Sequence, residues 1–386
     1  MALPAFIDKK DDCDKLFEIL ANEPIVSLDT EFVWTKSYFP FVGIIQIGVT
    51  PEKSFIIDAV TLSECPKSFK DFLENDKIMK VCHDAFQDVQ ILNYYAKTTT
   101  KNVFDTQLAA AFTGFGRAIS LNDLLEKIFG KTLDKSEQRA DWTKRPLTAA
   151  QIEYAMDDVR YLTDCAKVLI EIAKEHGVLE WIMDDCAELS QVDEPFEFLH
   201  SVEKSYAKEV RMVPFKNRPK LYRLCFAAEN LVRKKNLPRS FMFKPGVLAQ
   251  IVNCNPENHD NLQKTTLSHK VQKNYAKFFS DAINDESIPI NEDLVLQKLS
   301  FKNPSAAIIG TLAKELSEII EKMSESKGIC GSRIFNRKQL ADLIKDTLEN
   351  KEIAELHGWR NVFLGETWND FWIKKHSLKN LEKVVL

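Results

Sequence analysis

The sequence lacks the features that mark a membrane protein, a disulfide framework or a zinc site. Its 386 residues contain no apolar run close to the roughly 20 residues needed to span a bilayer. The opening residues, MALPAFIDKKDD, reach charged side chains too early for a secretory signal. None of the eight cysteines forms a C-x-x-C pair, so their spacing offers neither a zinc knuckle nor a redox motif. These absences predict a soluble, cytoplasmic protein with reduced thiols.

Charge is distributed unevenly along the chain. Residues 1–200 carry 35 acidic and 21 basic side chains, whereas residues 201–280 carry five acidic and 16 basic ones. Clustered carboxylates suit divalent cations, and a basic segment suits a polyanion such as nucleic acid. The alternative for the basic segment is an ordinary solvated surface, which charge alone leaves open. The length predicts two or three domains.

The first half of the chain alternates between strand and helix patterns. Short apolar and β-branched runs predict five strands: Ile25–Phe32, Ile44–Val49, Ser54–Asp58, Lys77–His83 and Val103–Asp105. Helical periodicity follows at Asp84–Tyr95 and Thr106–Phe112. Thr148-Ala-Ala-Gln151 fits a capping box, which predicts the start of a long helix that ends near Lys174. The pattern predicts an α/β domain with a mixed sheet.

Beyond Gly177 strand signals almost disappear and helical patterns dominate. The segments Gln191–Pro195 and Asp285–Asn291 have the composition of linkers. We therefore predict three domains, with boundaries at 1–195, 205–285 and 292–386.

Two carboxylates lie close together at the end of an apolar strand, in Leu28-Asp29-Thr30-Glu31-Phe32. Residues two apart on a strand point to the same face, so Asp29 and Glu31 stand side by side. A divalent cation such as Mg²⁺ or Mn²⁺ would relieve their repulsion. An exposed strand end that binds nothing is the alternative on this segment alone.

Two further segments add acidic residues on helices. Asp88 lies one turn after Asp84 where a strand leads into a helix, although acidic residues there also complement the helix dipole. Tyr154 and Asp158 are four apart and share one helix face. There, Asp158 is suited to bind a metal while Tyr154 orients a water. A plain Tyr–Asp hydrogen bond on an amphipathic helix is the alternative.

Taken together, the order Asp-x-Glu, Asp, then Tyr-x-x-x-Asp resembles the DEDD superfamily of 3′→5′ exonucleases in its tyrosine subtype. Within it the likeness is greatest to the bacterial ribonuclease D family and covers most of residues 20–180. The resemblance rests on these segments: Ile44-Ile-Gln-Ile, His83 with Asp88, Asp105-Thr-Gln107, Leu133–Trp142, Arg145-Pro-Leu-Thr148 and Glu153-Tyr-Ala155. Asp84 departs from the family pattern, which has a small residue there.

The resemblance implies a ribonuclease H-like exonuclease domain, with a mixed five-stranded sheet and helices on both faces. Two small helical HRDC-like domains would follow, the basic 205–285 and the divergent 292–386. The resemblance also implies that two metal ions, Mg²⁺ or Mn²⁺, take part in the hydrolysis. The implied metal ligands are Asp29, Glu31, Asp88 and Asp158, and Tyr154 completes the catalytic set. The implied substrates are tRNA precursors and other small structured RNAs, cut to nucleoside 5′-monophosphates by a monomer.

Further contacts to the substrate strand are predicted at Phe32, Trp142, Arg145, Arg233, Lys234 and Lys235. His83, at a strand end, is interpreted as a packed structural histidine rather than a base. Two rival functions stay open: a DNA-directed exonuclease with the same site, and a non-catalytic RNA-binding protein with a nuclease fold.

Overall fold

The computed structural model describes residues 3–134, 136–138, 140–190, 197–254, 256, 259–296, 306–350 and 352–374. These residues form two compact units. The first comprises the described residues of Met1–Glu31, Val42–Val192 and Phe301–Leu386, and the second those of Phe32–Phe41 and Asp193–Ser300. The predicted linker Gln191–Pro195 lies outside the described residues. Within the described ranges no helix has the length and apolar character needed to cross a membrane.

Elements are numbered here in chain order over the described residues. The strands are β1 Phe6–Ile7, β2 Ile25–Val33, β3 Phe41–Thr50, β4 Lys53–Asp58, β5 Met79–Cys82 and β6 Val103–Asp105. The helices of the first half are α1 Lys10–Leu20, α2 Ala59–Leu62, α3 Lys67–Glu74, α4 Phe86–Ala96, α5 Thr106–Phe112, α6 Leu121–Phe129, α7 Ala149–Arg160, α8 Leu162–Glu175 and α9 Leu179–Ser190. Those of the second half are α10 Phe198–Glu209, α11 Arg218–Lys235, α12 Arg239–Met242, α13 Val247–Cys254, α14 His259–Leu262, α15 His269–Asn284, α16 Glu292–Leu296, α17 Ala306–Glu325, α18 Gly331–Ile334, α19 Arg337–Asn350 and α20 Gly358–Lys374.

The first unit contains a mixed sheet with strand order β1-β4-β3-β2-β5-β6. β1 pairs parallel to β4, β5 pairs parallel to both β2 and β6, and β3 runs antiparallel to β4. All five predicted strands are present, and Val103–Asp105 has the predicted bounds. The prediction of a five-stranded sheet is wrong, because Phe6–Ile7 adds a sixth strand at the edge. Two residues are too few to show a strand period in sequence.

The capping box predicted at Thr148 is present, with the Thr148 and Gln151 side chains bonding each other's backbone N–H groups. The single long helix predicted to follow is wrong, since the chain forms α7 and α8 with a break at Tyr161. Hydrogen bonds on both sides of the break hold it against the sheet. Ser27 Oγ donates to the carbonyl of Val159 at 2.9 Å, and Thr163 Oγ1 donates to that of Val49 at 3.0 Å.

The C-terminal helices α17–α20 share one hydrophobic core with α5, α8 and α9. At its centre Asp185 of α9, 4% exposed, accepts hydrogen bonds from Arg333, Arg360 and the indole of Trp359. The Trp181 and Trp359 rings stack at 5.2 Å. These helices and the sheet therefore belong to the same compact unit.

The second unit packs helices α10–α16 around its own core. The segment 32–41, which continues from β2, belongs to this unit. Asn236 Oδ1 accepts from the backbone N–H groups of Tyr38 and Phe39 at 3.0 and 3.1 Å. The Tyr38 hydroxyl donates to the buried carboxylate of Glu229, which is also held by Arg233 at 2.8 Å. The segment is thus fixed to helix α11 at several points.

Candidate active site

Strand β2 presents two carboxylates on one face, as its alternation requires. Leu28 points into the core and is fully buried, whereas Asp29 and Glu31 are half-buried on the other side. One oxygen of each lies within 4.8 Å of the other and of an oxygen of Asp158. Two segments that are far apart in sequence therefore converge on one cluster, as the motif analysis expected.

Helix α7 delivers Tyr154 and Asp158 by docking closely on the sheet at Gly48. A Cβ added at Gly48 would lie 2.5 Å from Ser27 Oγ and 2.6 Å from the Val159 carbonyl. Only glycine fits between β3 and α7 at this point. Asp158, next to Val159, is thereby held close to Asp29 and Glu31 of β2.

Asp88 lies in the first turn of α4 and is 9% exposed. It accepts a hydrogen bond from the hydroxyl of Thr30, the residue between Asp29 and Glu31. Asp88 lies close enough to raise the pKa of Asp29 and of Asp158 through its charge. Asp84, by contrast, is exposed in the left-handed region with φ of 61°, and its N–H donates to Asp105 at 3.0 Å. The geometry favours Asp88 over Asp84 as a member of the cluster.

Burial raises the pKa of all four carboxyl groups, and the charges of neighbouring carboxylates add to the effect. The pKa of Glu31 rises to about 8, and those of Asp88 and Asp158 rise to about 7. That of Asp29 rises well above its ordinary value, because it is buried beside the charges of the other three. Such crowding of oxygen ligands fits a hard divalent cation, which would stabilise the charged forms. The donor set and the fold together indicate dependence on a divalent metal ion.

Cation affinity is predicted to rise steeply with pH between about 6 and 8. Protons compete with the cation for groups whose pKa is raised, so binding strengthens as pH passes the values of about 7 and 8. Isothermal titration with Mn²⁺ at a series of pH values measures this, and binding should release protons to the buffer. An affinity that is flat between pH 6 and 8 would contradict the site.

Two side chains near the cluster were not singled out from the sequence. Gln46 of β3 is fully buried and its Nε2 lies 3.4 Å from Asp29 Oδ2. Thr30 donates to Asp88. The signal for Gln46 was present as the one polar residue in the apolar run Ile44-Ile-Gln-Ile. No comparable signal marked Thr30, whose role depends on a residue 58 positions away.

Trp142 and Arg145, predicted to contact the substrate, pack into the protein behind Tyr154. Trp142 is 2% exposed and its ring centroid lies 5.9 Å from that of Tyr154. Arg145 Nε and Nη2 bind the Asp58 carboxylate at 2.8 and 2.5 Å. Its Nη1 and Nη2 donate at 2.9 Å to the carbonyls of Trp142 and Gly43. This geometry gives both residues a supporting role, and their substrate contact stays a prediction that the structure does not favour.

The remaining predicted residues fall in different surroundings. His83 is bonded at both ring nitrogens, to Thr106 Oγ1 and the Ile119 carbonyl at 2.9 Å each, which confirms the structural interpretation. Phe32 is half-buried directly after Glu31. Arg233 is bound to Glu229 and lies over the Tyr38 ring at 5.0 Å, so the carboxylate of Glu229 already balances the charge of its guanidinium. Lys234 and Lys235 are exposed.

Comparison with known proteins finds relatives along most of the chain. A 3′→5′ exonuclease family model matches residues 4–173. Ribonuclease D of Desulfotalea psychrophila is 29% identical over 93% of this chain and 96% of its own length. Ribonuclease D of Nitrobacter hamburgensis is 27% identical over 90% and 89%. The chain resembles bacterial ribonuclease D over nearly its whole length. This similarity assigns the chain to the exoribonucleases, which are hydrolases.

The fold of the whole chain agrees with this assignment. The crystal structure of Escherichia coli RNase D, described as an exoribonuclease involved in structured RNA processing, superposes with a TM-score of 0.80. That structure is 24% identical and covers 98% of this chain and 100% of its own. The match extends beyond the exonuclease domain into the C-terminal helices, so the helical second half is part of the shared architecture.

Proposed function

We propose that this ribonuclease D-like protein removes nucleotides one at a time from the 3′ ends of structured RNA, including tRNA precursors. The products are nucleoside 5′-monophosphates. The observation that carries the proposal is the convergence of Asp29, Glu31 and Asp158, with Asp88 and Tyr154 beside them, at the end of β2. The substrate class is supported by the similarity to the Escherichia coli enzyme of structured RNA processing.

The four carboxylates would hold two divalent ions, Mg²⁺ or Mn²⁺. Asp29, Glu31 and Asp158 would bind the first, and Asp29 with Asp88 would support the second. When bound, such ions lower the pKa of an attacking water and stabilise the leaving 3′-oxygen. Gln46 and Thr30 orient Asp29 and Asp88 through their hydrogen bonds. These contacts reduce the rotation of the two carboxylates before the substrate arrives.

Tyr154 remains protonated at neutral pH, since burial and the charge of Asp158 raise the pKa of its phenol. The hydroxyl can therefore donate to or accept from a water while removing no proton from it. Its ring is supported by the buried Trp142. Tyr154 thus orients the attacking water in line with the scissile bond.

Tyr154→Phe is expected to lower kcat by about 100-fold, in the range found for a positioned group in the transition state. KM should change little, because the ring and its packing on Trp142 are kept. Steady-state kinetics on an RNA oligonucleotide measure the split. An unchanged kcat would remove Tyr154 from the mechanism.

The function is tested by digestion of matched, 5′-labelled RNA and DNA oligonucleotides with Mg²⁺. We expect a ladder shortening from the 3′ end of the RNA, and no cleavage with excess chelator. Faster digestion of DNA would establish the DNA-directed alternative. Absence of cleavage with either Mg²⁺ or Mn²⁺ would establish the non-catalytic alternative.

We also propose that residues 205–285 form a basic HRDC domain and residues 292–386 a divergent second copy. The packing of α11–α15 around a core separate from that of the first unit supports the first assignment. The inclusion of α17–α20 in the core of the first unit supports a scaffolding role for the second.

A further inference from the structure

The second unit contains a pocket of about 690 Å³, within the range of small-molecule sites. Its walls come from the segment after β2, from helix α10 and from the residues between α11 and α13. Four basic side chains line it, together with several aromatic rings and two carboxylates. The basic residues are Lys204, Lys208, Arg239 and Lys244, and the rings include Tyr38 and Phe241.

The positive charges of the pocket are available, whereas its negative charges are occupied. Lys204, Lys208 and Lys244 are exposed and make no salt bridge to any residue in the described ranges. Glu209 accepts from the backbone N–H groups of Gly246 and Ala249 at 3.2 and 2.8 Å. Glu229 is bound by the arginines of α11 and α12 and by Tyr38. The field inside the pocket therefore favours an anion.

Two side chains add features that point to a nucleotide rather than to a simple anion. Arg239 donates through Nη1 to Glu229 at 3.1 Å, while its Nη2 is buried without a hydrogen-bond partner in the described structure. Arg239 also contributes positive charge to the wall of the pocket. Phe241 is 60% exposed at the same pocket, and an exposed ring provides a surface on which a base can stack.

We propose that this pocket binds one nucleotide of the RNA strand. Lys204, Lys208 and Lys244 contact its phosphates, and Phe241 stacks on its base. This inference rests on the proposed function and names residues that would bind the RNA. It assigns the phosphate contacts to the three lysines and not to Arg233, because the guanidinium of Arg233 is already bound by Glu229. Lys204 and Lys208 are four apart and so project from one face of α10.

The test is the affinity of the full-length protein for a 5′-labelled 16-nucleotide single-stranded RNA, measured by fluorescence anisotropy in EDTA. The triple variant Lys204→Ala/Lys208→Ala/Lys244→Ala should raise Kd at least about tenfold and lower the salt slope by about 2. Phe241→Ala should raise Kd about tenfold and leave the salt slope unchanged. The control Lys270→Ala/Lys273→Ala/Lys277→Ala removes the same charge from exposed positions of α15 outside the pocket.

An equal loss of RNA affinity in the pocket triple and the control triple would overturn the assignment. That result would mean that RNA binds to the basic surface in general and not to this pocket. Competition with free AMP separates a strand site from a product site. AMP should displace the oligonucleotide only far above the oligonucleotide Kd, and tight binding of AMP in the pocket would contradict a strand site. Because binding is measured without metal, failure of wild-type hydrolysis would refute the proposed function separately.

Discussion

Asp29→Asn is expected to lower kcat/KM on RNA by at least about a thousand-fold, since Asp29 lies within reach of Glu31, Asp158 and Asp88. Asparagine keeps the shape of the side chain but removes the charge that two cations would share. The measurement is single-turnover hydrolysis of an end-labelled oligonucleotide at saturating Mg²⁺. Asp71→Asn on the exposed face of α3 is the matched control and should retain wild-type activity.

The same substitution is expected to stabilise the metal-free protein. A carboxyl group whose pKa is raised on folding contributes stability at low pH, and this contribution is lost as pH rises through its folded value. The four groups of the cluster have raised pKa values, at about 7 and 8 for three of them. In EDTA, Asp29→Asn should therefore raise Tm by about 2–4 °C at pH 8 and much less at pH 5. A lower Tm at pH 8 would indicate that Asp29 supports the fold rather than the chemistry.

Asp185→Ala is expected to destabilise the first unit by about 3–5 kcal/mol, the usual cost of breaking a buried ion pair from one side. Arg333 and Arg360 would lose their common carboxylate partner, and the Trp359 indole would lose its acceptor. Urea unfolding followed by tryptophan fluorescence measures the loss, because Trp359 stacks on Trp181 beside the site. Asp184→Ala, at an exposed neighbouring position, should change stability by less than about 0.5 kcal/mol.

Other outcomes of the Asp185→Ala unfolding experiment would show how the C-terminal helices are held to the first unit. If Asp185→Ala left the unfolding free energy unchanged, α17–α20 would be held by their apolar contacts alone. If it produced a separate, earlier transition, those helices would unfold independently of the sheet. We expect one cooperative transition, since α17–α20 share their core with α5, α8 and α9.

Local signals in the sequence predicted the local structure and the cluster well. Val103–Asp105 and Thr106–Phe112 have the predicted bounds, and the capping box at Thr148 is present. Asp29 and Glu31 share a face because strand geometry requires it, and Tyr154 and Asp158 share one because helix geometry requires it. The convergence of these two segments on one point was not readable from spacing, and it came from the family resemblance.

Features that depend on long-range packing were missed or misplaced. The break at Tyr161 is held by Ser27 and Thr163 bonding across to other elements, which no local pattern shows. Arg145 was assigned to the substrate because a basic residue near a catalytic block is a plausible phosphate contact. Its buried partner, Asp58, lies 87 positions earlier. Arg233 was predicted to contact RNA because it lies in the basic segment, and in the structure its guanidinium is bound by Glu229 and lies over the Tyr38 ring.

The most direct test of the account is anomalous diffraction from crystals soaked in Mn²⁺. We predict a peak bounded by the carboxylates of Asp29, Glu31 and Asp158, and the loss of that peak in Asp29→Asn. Crystals of active protein with manganese bound elsewhere and none between these side chains would contradict the account.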